Sequence, residues 1–293
     1  MAYQLRVAGI GGILSLTALC ALLLSGCNLG GTSAAVPKDE SVYDRVIRTG
    51  VIRAAYISYP PACMKHAQTG EMSGIFVETL EKAAKNLGLK VDWTNEVGWS
   101  AQIEGLQRDQ YDIVGSPVWA NPNRGKLTTL SKPLYYSGIG IYVRKNESRF
   151  SDWRQINSPS VRIATIDGET GDLIARTQFS NAKRLSSPQD TNLSLKFLDI
   201  TGNKADVFFT EPYFAYKFLE SNRGTIKNIA SDNPIRTLGN CYMFKKGEPE
   251  FKQMLDVALE DLLNSGYVDQ LLDKYEPAKN TYYRVAQPYR IVK

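Results

Sequence analysis

Hydrophobic positions along this chain recur with two periods, and the two take turns. Val51-Ile52-Arg53-Ala54-Ala55-Tyr56 is a short β-prone run. After a loop marked by Pro60, Pro61 and Gly70, residues 75–87 place Phe76, Leu80, Ala83, Ala84 and Leu87 at helical spacing, and Gly88 supplies a stop. Residues 90–93 alternate as a strand does. Ile103 and Leu106 mark a second helix over 99–107, and residues 111–116 form a further strand that runs into a loop. Strand following helix in this way predicts parallel βαβ units.

A second series repeats the pattern. Residues 138–144 (GIGIYVR) and 161–166 read as strands, a helix follows Gly168, and another carries Leu193, Phe197 and Ile200 before Gly202 stops it. Ala205 to Thr210 (ADVFFT) is strongly β-prone, and Pro212 suits the first turn of the next helix. Residues 240–244 return to strand. Phe251, Leu255, Ala258, Leu259 and Leu262 share one helical face, with Gly266 as its C-terminal cap. Two α/β series of similar size predict two lobes with a ligand cleft between them. Residues 277–293 show no period.

The amino terminus follows different rules. Residues 7–24 are uncharged and mostly apolar after a start that carries one positive charge, and Leu24-Ser25-Gly26-Cys27 follows at once. A basic start, an apolar stretch and small residues before a cut describe a secretory signal peptide over 1–26. The run is also long enough to be a membrane-spanning helix. Gly9, Gly11 and Gly12 and the small residues at its end weigh against that alternative. The tetrad resembles the lipobox of bacterial lipoproteins, which implies that Cys27 is acylated and holds the body at the extracytoplasmic face of a membrane of the cell envelope. Residues 27–40 then form a flexible tether. Outside the cytoplasm, Cys63 and Cys241 either pair or remain two buried thiols, and the sequence leaves both open.

Composition narrows the chemistry. The 293 residues are 43% hydrophobic and 22% charged, the balance of a soluble globular body, and the net charge of +5 is spread without a basic block. That disfavours a nucleic-acid partner. One histidine and four cysteines leave no zinc spacing and no His-based triad. Neither a phosphate-binding Gly-rich loop nor a G-x-S-x-G elbow is present in the body, so no cofactor and no metal are expected.

Three segments stand at predicted strand ends, where open α/β sheets bind ligands. They are Tyr111-Asp112-Ile113-Val114-Gly115-Ser116 with Arg124 and Ser131 to Tyr135 beyond it, Ile166-Asp167-Gly168-Glu169-Thr170-Gly171, and Ala205-Asp206 through Glu211-Pro212. In this order, with Tyr59-Pro60-Pro61, Gly74-Ile75, Leu106 to Asp112 and Tyr267 to Tyr275, they resemble the family 3 solute-binding proteins. These are the extracytoplasmic receptors of polar amino acid ABC importers. The resemblance covers about residues 41–276. It implies a two-lobed α/β type II periplasmic-binding-protein fold with two hinge crossings, near 141–144 and 234–240. Lobe 1 would comprise 41–142 and 238–276, and lobe 2 residues 143–237.

The resemblance also implies roles. Arg124 would hold the ligand's α-carboxylate, for which a guanidinium's paired donors are well shaped; read alone, it is a surface charge in a polar loop. Thr170 would donate from a helix N-terminus or simply cap it. Glu211 would receive the α-ammonium or merely sit in a first helical turn. Tyr59 and Trp99 match aromatic positions that sandwich the ligand, with Tyr56 and Trp119 adding to the enclosure, and core packing is the plain alternative. Ser116 matches a hydroxyl contact. Pro117, Trp119, Asn121, Glu169 and Gly171 depart from the family's usual residues, and the acid often found near Tyr56 in receptors for basic amino acids is absent. The pocket is therefore expected to be aromatic and poor in hydroxyls, suited to an apolar or cationic group.

The expected function is that of a monomeric receptor for an amino acid or related zwitterion, handing it to ABC permease subunits. Enzymes of this fold act as cyclohexadienyl dehydratases, and Glu211, Glu78 or Asp112 are the acids such a reaction would draw on. No second acid is apparent beside Arg124. A sensor acting in trans is the remaining alternative.

Overall fold

The computed structural model describes residues 40–285 except 190 and 280. The expected signal peptide, Cys27, the tether up to residue 39 and the tail from residue 286 lie outside the described residues.

Chain order in the first lobe begins with α1 (Val42–Thr49), which the hydrophobic pattern had not singled out. Its local signals are nonetheless clear: Ser41 Oγ accepts the Asp44 N–H at 3.0 Å, and Gly50 closes the helix at φ 71°. Next come β1 (Val51–Tyr56), a small hairpin of β2 (Met64–Lys65) and β3 (Met72–Ser73), α2 (Ile75–Asn86) and β4 (Lys90–Glu96). They lead into α3 (Gln102–Gln107), β5 (Ile113–Trp119), α4 (Pro122–Leu127), β6 (Thr129–Leu130) and the long β7 (Tyr135–Arg144). In α2 the helical period does its expected work, burying Phe76, Leu80, Ala83 and Ala84.

The second lobe follows with a 3-10 turn at Trp153–Ile156, then β8 (Arg162–Ile166), α5 (Thr170–Gln178), β9 (Lys183–Ser187), α6 (Leu193–Thr201), β10 (Val207–Thr210), α7 (Pro212–Ser221) and β11 (Ile226–Asn228). The chain then returns through β12 (Arg236–Phe244), and α8 (Pro249–Asn264) and α9 (Tyr267–Tyr275) pack back on lobe 1. Strand β9 is exposed at four of its five positions, so no buried alternation announced it.

Strand order is β4-β1-β5-β12-β7-β10-β8-β9. Within each lobe the inner strands run parallel, β4-β1-β5 in the first and β10-β8-β9 in the second. Each group is joined by one long antiparallel strand, and those two strands, β12 and β7, pair with each other. Strand β7 changes partner between Ile139, opposite Arg236 of β12, and Gly140, opposite Thr210 of β10. The crossing thus precedes the expected one at 141–144, because β7 is a single ten-residue strand that begins at Tyr135. Pro117 lies inside β5 where the register with β12 shifts, a place where a missing N–H is tolerated.

Buried aspartates brace the opposite end of both parallel groups. Just before β5, Asp112 accepts from Arg45 and, at 2.8 Å, from Arg53 Nη2. Just before β10, Asp206 accepts from Arg144, Arg149 and Arg162 at 2.7–3.1 Å. Asp112 is therefore a structural ion-pair centre, away from the cleft, and is removed from the candidate acids. Glu78 is removed too: it lies on α2, bound by Lys274 at 2.9 Å and by the Tyr275 hydroxyl.

Cys63 and Cys241 are both free and buried, so the pairing that the sequence left open is not made. Burial pushes each thiol up to about 12, which leaves them unreactive at neutral pH. The described part of the tail is not structureless. Residues Tyr283–Arg284 form β13 against β7, Arg284 bonds Glu276 and Asp273, and Tyr282 is 1% exposed with its ring 4.8 Å from that of Tyr135. Replacing Tyr282 by alanine opens a cavity beside Tyr135. The expected loss, read from the shift of a urea unfolding curve, is about 3 kcal/mol.

Candidate ligand-binding cleft

Four strand ends supply the cleft. The loop after β1 carries Tyr59, held by paired backbone bonds with Cys63 (Tyr59 N–H to Cys63 O 2.8 Å, Cys63 N–H to Tyr59 O 3.0 Å). At the end of β5, Asn121 caps α4 by accepting the Arg124 N–H at 3.0 Å, and Arg124 Nη1 donates to the Trp119 carbonyl at 2.9 Å. After β8, Gly168 takes φ +79° and turns the chain so that Glu169 and Thr170 begin α5. Gly171 departs from the family pattern for a packing reason, since a Cβ there would meet the Phe209 carbonyl oxygen at 2.7 Å. After β10, Glu211 precedes the first residue of α7.

These loops enclose a cavity of about 290 Å³. Tyr59, Trp99 and Trp119 wall it, with Tyr59 as the hub: its ring centroid lies 5.6 Å from that of Trp99 and 6.5 Å from that of Trp119, both nearly perpendicular. Arg124 lines the lobe 1 side and Glu169 with Thr170 the lobe 2 side. Among the described residues no carboxylate lies within ion-pair distance of Arg124, and burial lowers its basicity. No group of three or more metal-ligating side chains occurs among the described residues.

Five of the eight candidate site residues line this cavity: Tyr59, Trp99, Trp119, Arg124 and Thr170. Three do not. Tyr56 faces away, packing on Trp93 and accepting from Lys65 Nζ at 2.9 Å. Ser116 spends its hydroxyl on the backbone of Ile57, accepting its N–H at 2.6 Å and donating to its carbonyl at 2.9 Å. Glu211 is only 1% exposed and lies behind Tyr59, whose hydroxyl donates to its Oε2 at 3.0 Å. Its Oε1 is buried without a well-formed hydrogen bond, the nearby Trp119 indole N–H going to Asn240 Oδ1 at 2.9 Å.

Glu169 is the residue that sequence reasoning passed over. It was noted as a departure, and its signal, an acid at a helix start just past a glycine turn, fits any solvated first-turn charge. Burial raises Glu169 to about 7, with the neighbouring Glu211 adding to the effect. Burial also raises Glu211 to about 7, against the Tyr59 hydrogen bond and the nearby Ser137 and Trp119 donors that pull it down. A carboxyl raised toward neutrality in a cleft can bind a cation, or hold and release a proton.

The sequence profile described as bacterial extracellular solute-binding proteins, family 3, matches residues 51–278. The chain belongs to this family. As a family 3 extracellular solute-binding protein it has the two-lobed type II periplasmic-binding-protein fold that its sequence implied. A Haemophilus influenzae relative described as a probable amino-acid ABC transporter-binding protein is 35% identical over 207 residues, covering 70% of this chain and 77% of the relative. A cyclohexadienyl dehydratase from Pseudomonas aeruginosa is 25% identical over 245 residues, covering 83% of this solute-binding protein and 89% of the enzyme. The crystal structure of an ancestral amino acid-binding protein, described as a precursor of cyclohexadienyl dehydratase, superposes with a TM-score of 0.69 at 24% identity, over 81% of this chain and all of the other.

The two raised carboxyls make stability depend on pH. An unperturbed glutamate titrates at 4.5, whereas Glu169 and Glu211 keep their protons to about 7 in the folded chain. Their contribution is complete below about pH 4.5 and is lost as pH rises through 7. Melting temperatures of wild type and Glu211→Gln, measured from pH 5 to 8, are expected to show wild type falling relative to the variant as pH rises.

Proposed function

We propose that the protein is the extracytoplasmic receptor of an ABC importer and binds an amino acid or related small zwitterion between its lobes. The observation that carries this reading is the Arg124 guanidinium, half-buried in an aromatic-walled cleft with no carboxylate partner of its own, facing acids on the other lobe. A ligand carboxylate completes the Arg124 donor set with the charge and planar geometry a guanidinium favours. The ligand's ammonium then faces Glu169 on lobe 2, with Thr170 as a further polar contact and Glu211 behind Tyr59. Amino-acid transport relatives support the importer assignment, and the expected lipid anchor at Cys27 fits a receptor kept near its membrane partner.

A thermal-shift panel of amino acids, betaines, polyamines and dicarboxylates tests the class, because a ligand of the folded state raises the melting temperature. Arg124→Ala is expected to weaken any carboxylate that stabilises wild type by about a hundredfold or more, since the ligand charge would be buried unpaired. Retained affinity would remove Arg124 from the site.

One observation favours a second reading, that of a cyclohexadienyl dehydratase. Glu169 is an acid that shares the cavity with Arg124, and a carboxyl raised to about 7 suits a general acid that protonates a leaving hydroxyl. The dehydratase relative supports it. Incubation with prephenate or arogenate and a watch for an aromatic product separates the two readings: turnover would displace the receptor reading, and its absence alongside amino acid binding would remove the enzyme.

A further inference from the structure

Among the lobe 2 acids near the cleft, Glu169 and Glu211 differ in geometry. Glu169 lines the cavity together with Arg124 and the three aromatic walls. No hydrogen bond or ion pair engages its side chain, and it forms no cap on α5. Glu211 does not line the cavity. It lies 1% exposed behind Tyr59 and spends Oε2 on the Tyr59 hydroxyl at 3.0 Å. Tyr59 belongs to lobe 1 and Glu211 to lobe 2, so that bond joins the lobes. The Tyr59 ring reinforces it, lying 5.3 Å from that of Phe214 on α7.

We propose, resting on the reading of the cleft as a zwitterion site, that Glu169 is the residue that takes the ligand's cationic group, and that Glu211 acts as a latch between the lobes through Tyr59. Access and free partners single out Glu169. A ligand's ammonium reaches only acids that face the cavity, and Glu169 is the acid there that is both half-buried and unengaged. Asp167, which also lines it, is exposed and accepts from the Ser186 hydroxyl. Glu169 shares the cavity with Tyr59 and Trp99, and aromatic faces attract cations. Arg124 lies on lobe 1 and Glu169 on lobe 2, so a zwitterion held by both carries its negative end to one lobe and its positive end to the other. Glu211, shielded by Tyr59, is out of reach of a ligand that does not displace that ring.

The test compares matched pairs of acids with and without the amine, using the full chain. The twenty L-amino acids are titrated calorimetrically into wild type. For those that bind, the same acid lacking its α-amine (3-phenylpropanoate against phenylalanine, for example) is titrated as well. Wild type is expected to prefer the amine by about tenfold or more, the scale of a hydrogen bond to a charged group. Glu169→Gln should reduce that preference to threefold or less, while Glu211→Gln should weaken both members of a pair by the same factor and leave the preference standing. A preference that survives in Glu169→Gln, or collapses in Glu211→Gln, overturns the assignment and leaves the receptor reading intact. Should wild type bind none of the twenty and none of the betaines, the receptor reading falls and this assignment with it. If Glu211→Gln does not fold, Glu211→Asp takes its place, with the same preserved preference expected and its collapse equally fatal.

Discussion

The bond from the Tyr59 hydroxyl to Glu211 holds the base of the cleft together. It runs from a loop of lobe 1 to the head of a helix in lobe 2, and its Glu211 end is buried. Its direction is set by the surroundings. Burial and the adjacent Glu211 carboxyl drive the Tyr59 phenol well above its ordinary range, so the phenol keeps its proton and donates. Glu211 is pushed the same way by burial, and Tyr59 is among the groups that offset the cost of its charge. A buried carboxyl that loses its donor pays the full desolvation penalty, which makes this contact worth more than its single bond suggests. The aromatic walls stand where they do because Tyr59 is pinned from below by Glu211 and flanked by Trp99, Trp119 and Phe214.

The sheet explains why such a contact is available. Parallel strands direct their C-terminal ends, and the loops after them, to one side. Here two parallel groups are set edge to edge through the antiparallel pair β7–β12, so the loops after β1, β5, β8 and β10 meet. The other ends of the same strands are braced by Asp112 with Arg45 and Arg53, and by Asp206 with Arg144, Arg149 and Arg162. Each lobe thus places ion pairs before the strand and cleft-lining side chains after it. Asp112 and Asp206 stand out in the sequence as strongly as Arg124 does, and for a different reason.

That separation marks how far the sequence could be read. Strand and helix order, the two-lobed architecture and the placing of Arg124, Tyr59, Trp99, Trp119 and Thr170 follow from local pattern and from motifs in family order. What failed depends on which face a side chain takes within a known segment. Tyr56 and Tyr59 are three residues apart across the end of β1, and only the second turns into the cleft. Ser116 lies in a strand whose alternation aims it at Ile57. Glu169 looks like any first-turn acid until the opposite lobe covers it. Burial by distant parts of the chain has no local signature, and the same holds for the two free thiols.

The charges in the cleft determine which solutes favour contact between the lobes. A ligand shifts a conformational equilibrium only by the difference between its affinities for the two arrangements. A simple carboxylate on Arg124 touches lobe 1 alone and would bind about as well with the lobes apart. A zwitterion that also reaches lobe 2 makes its second contact only where the lobes meet, beside the Tyr59–Glu211 bond. On the proposed reading, a cation beside Glu169, which burial raises to about 7, stabilises the ionised acid and draws a proton off the protein. Bipolar charge is then, on the same reading, the property of a solute that brings the lobes together.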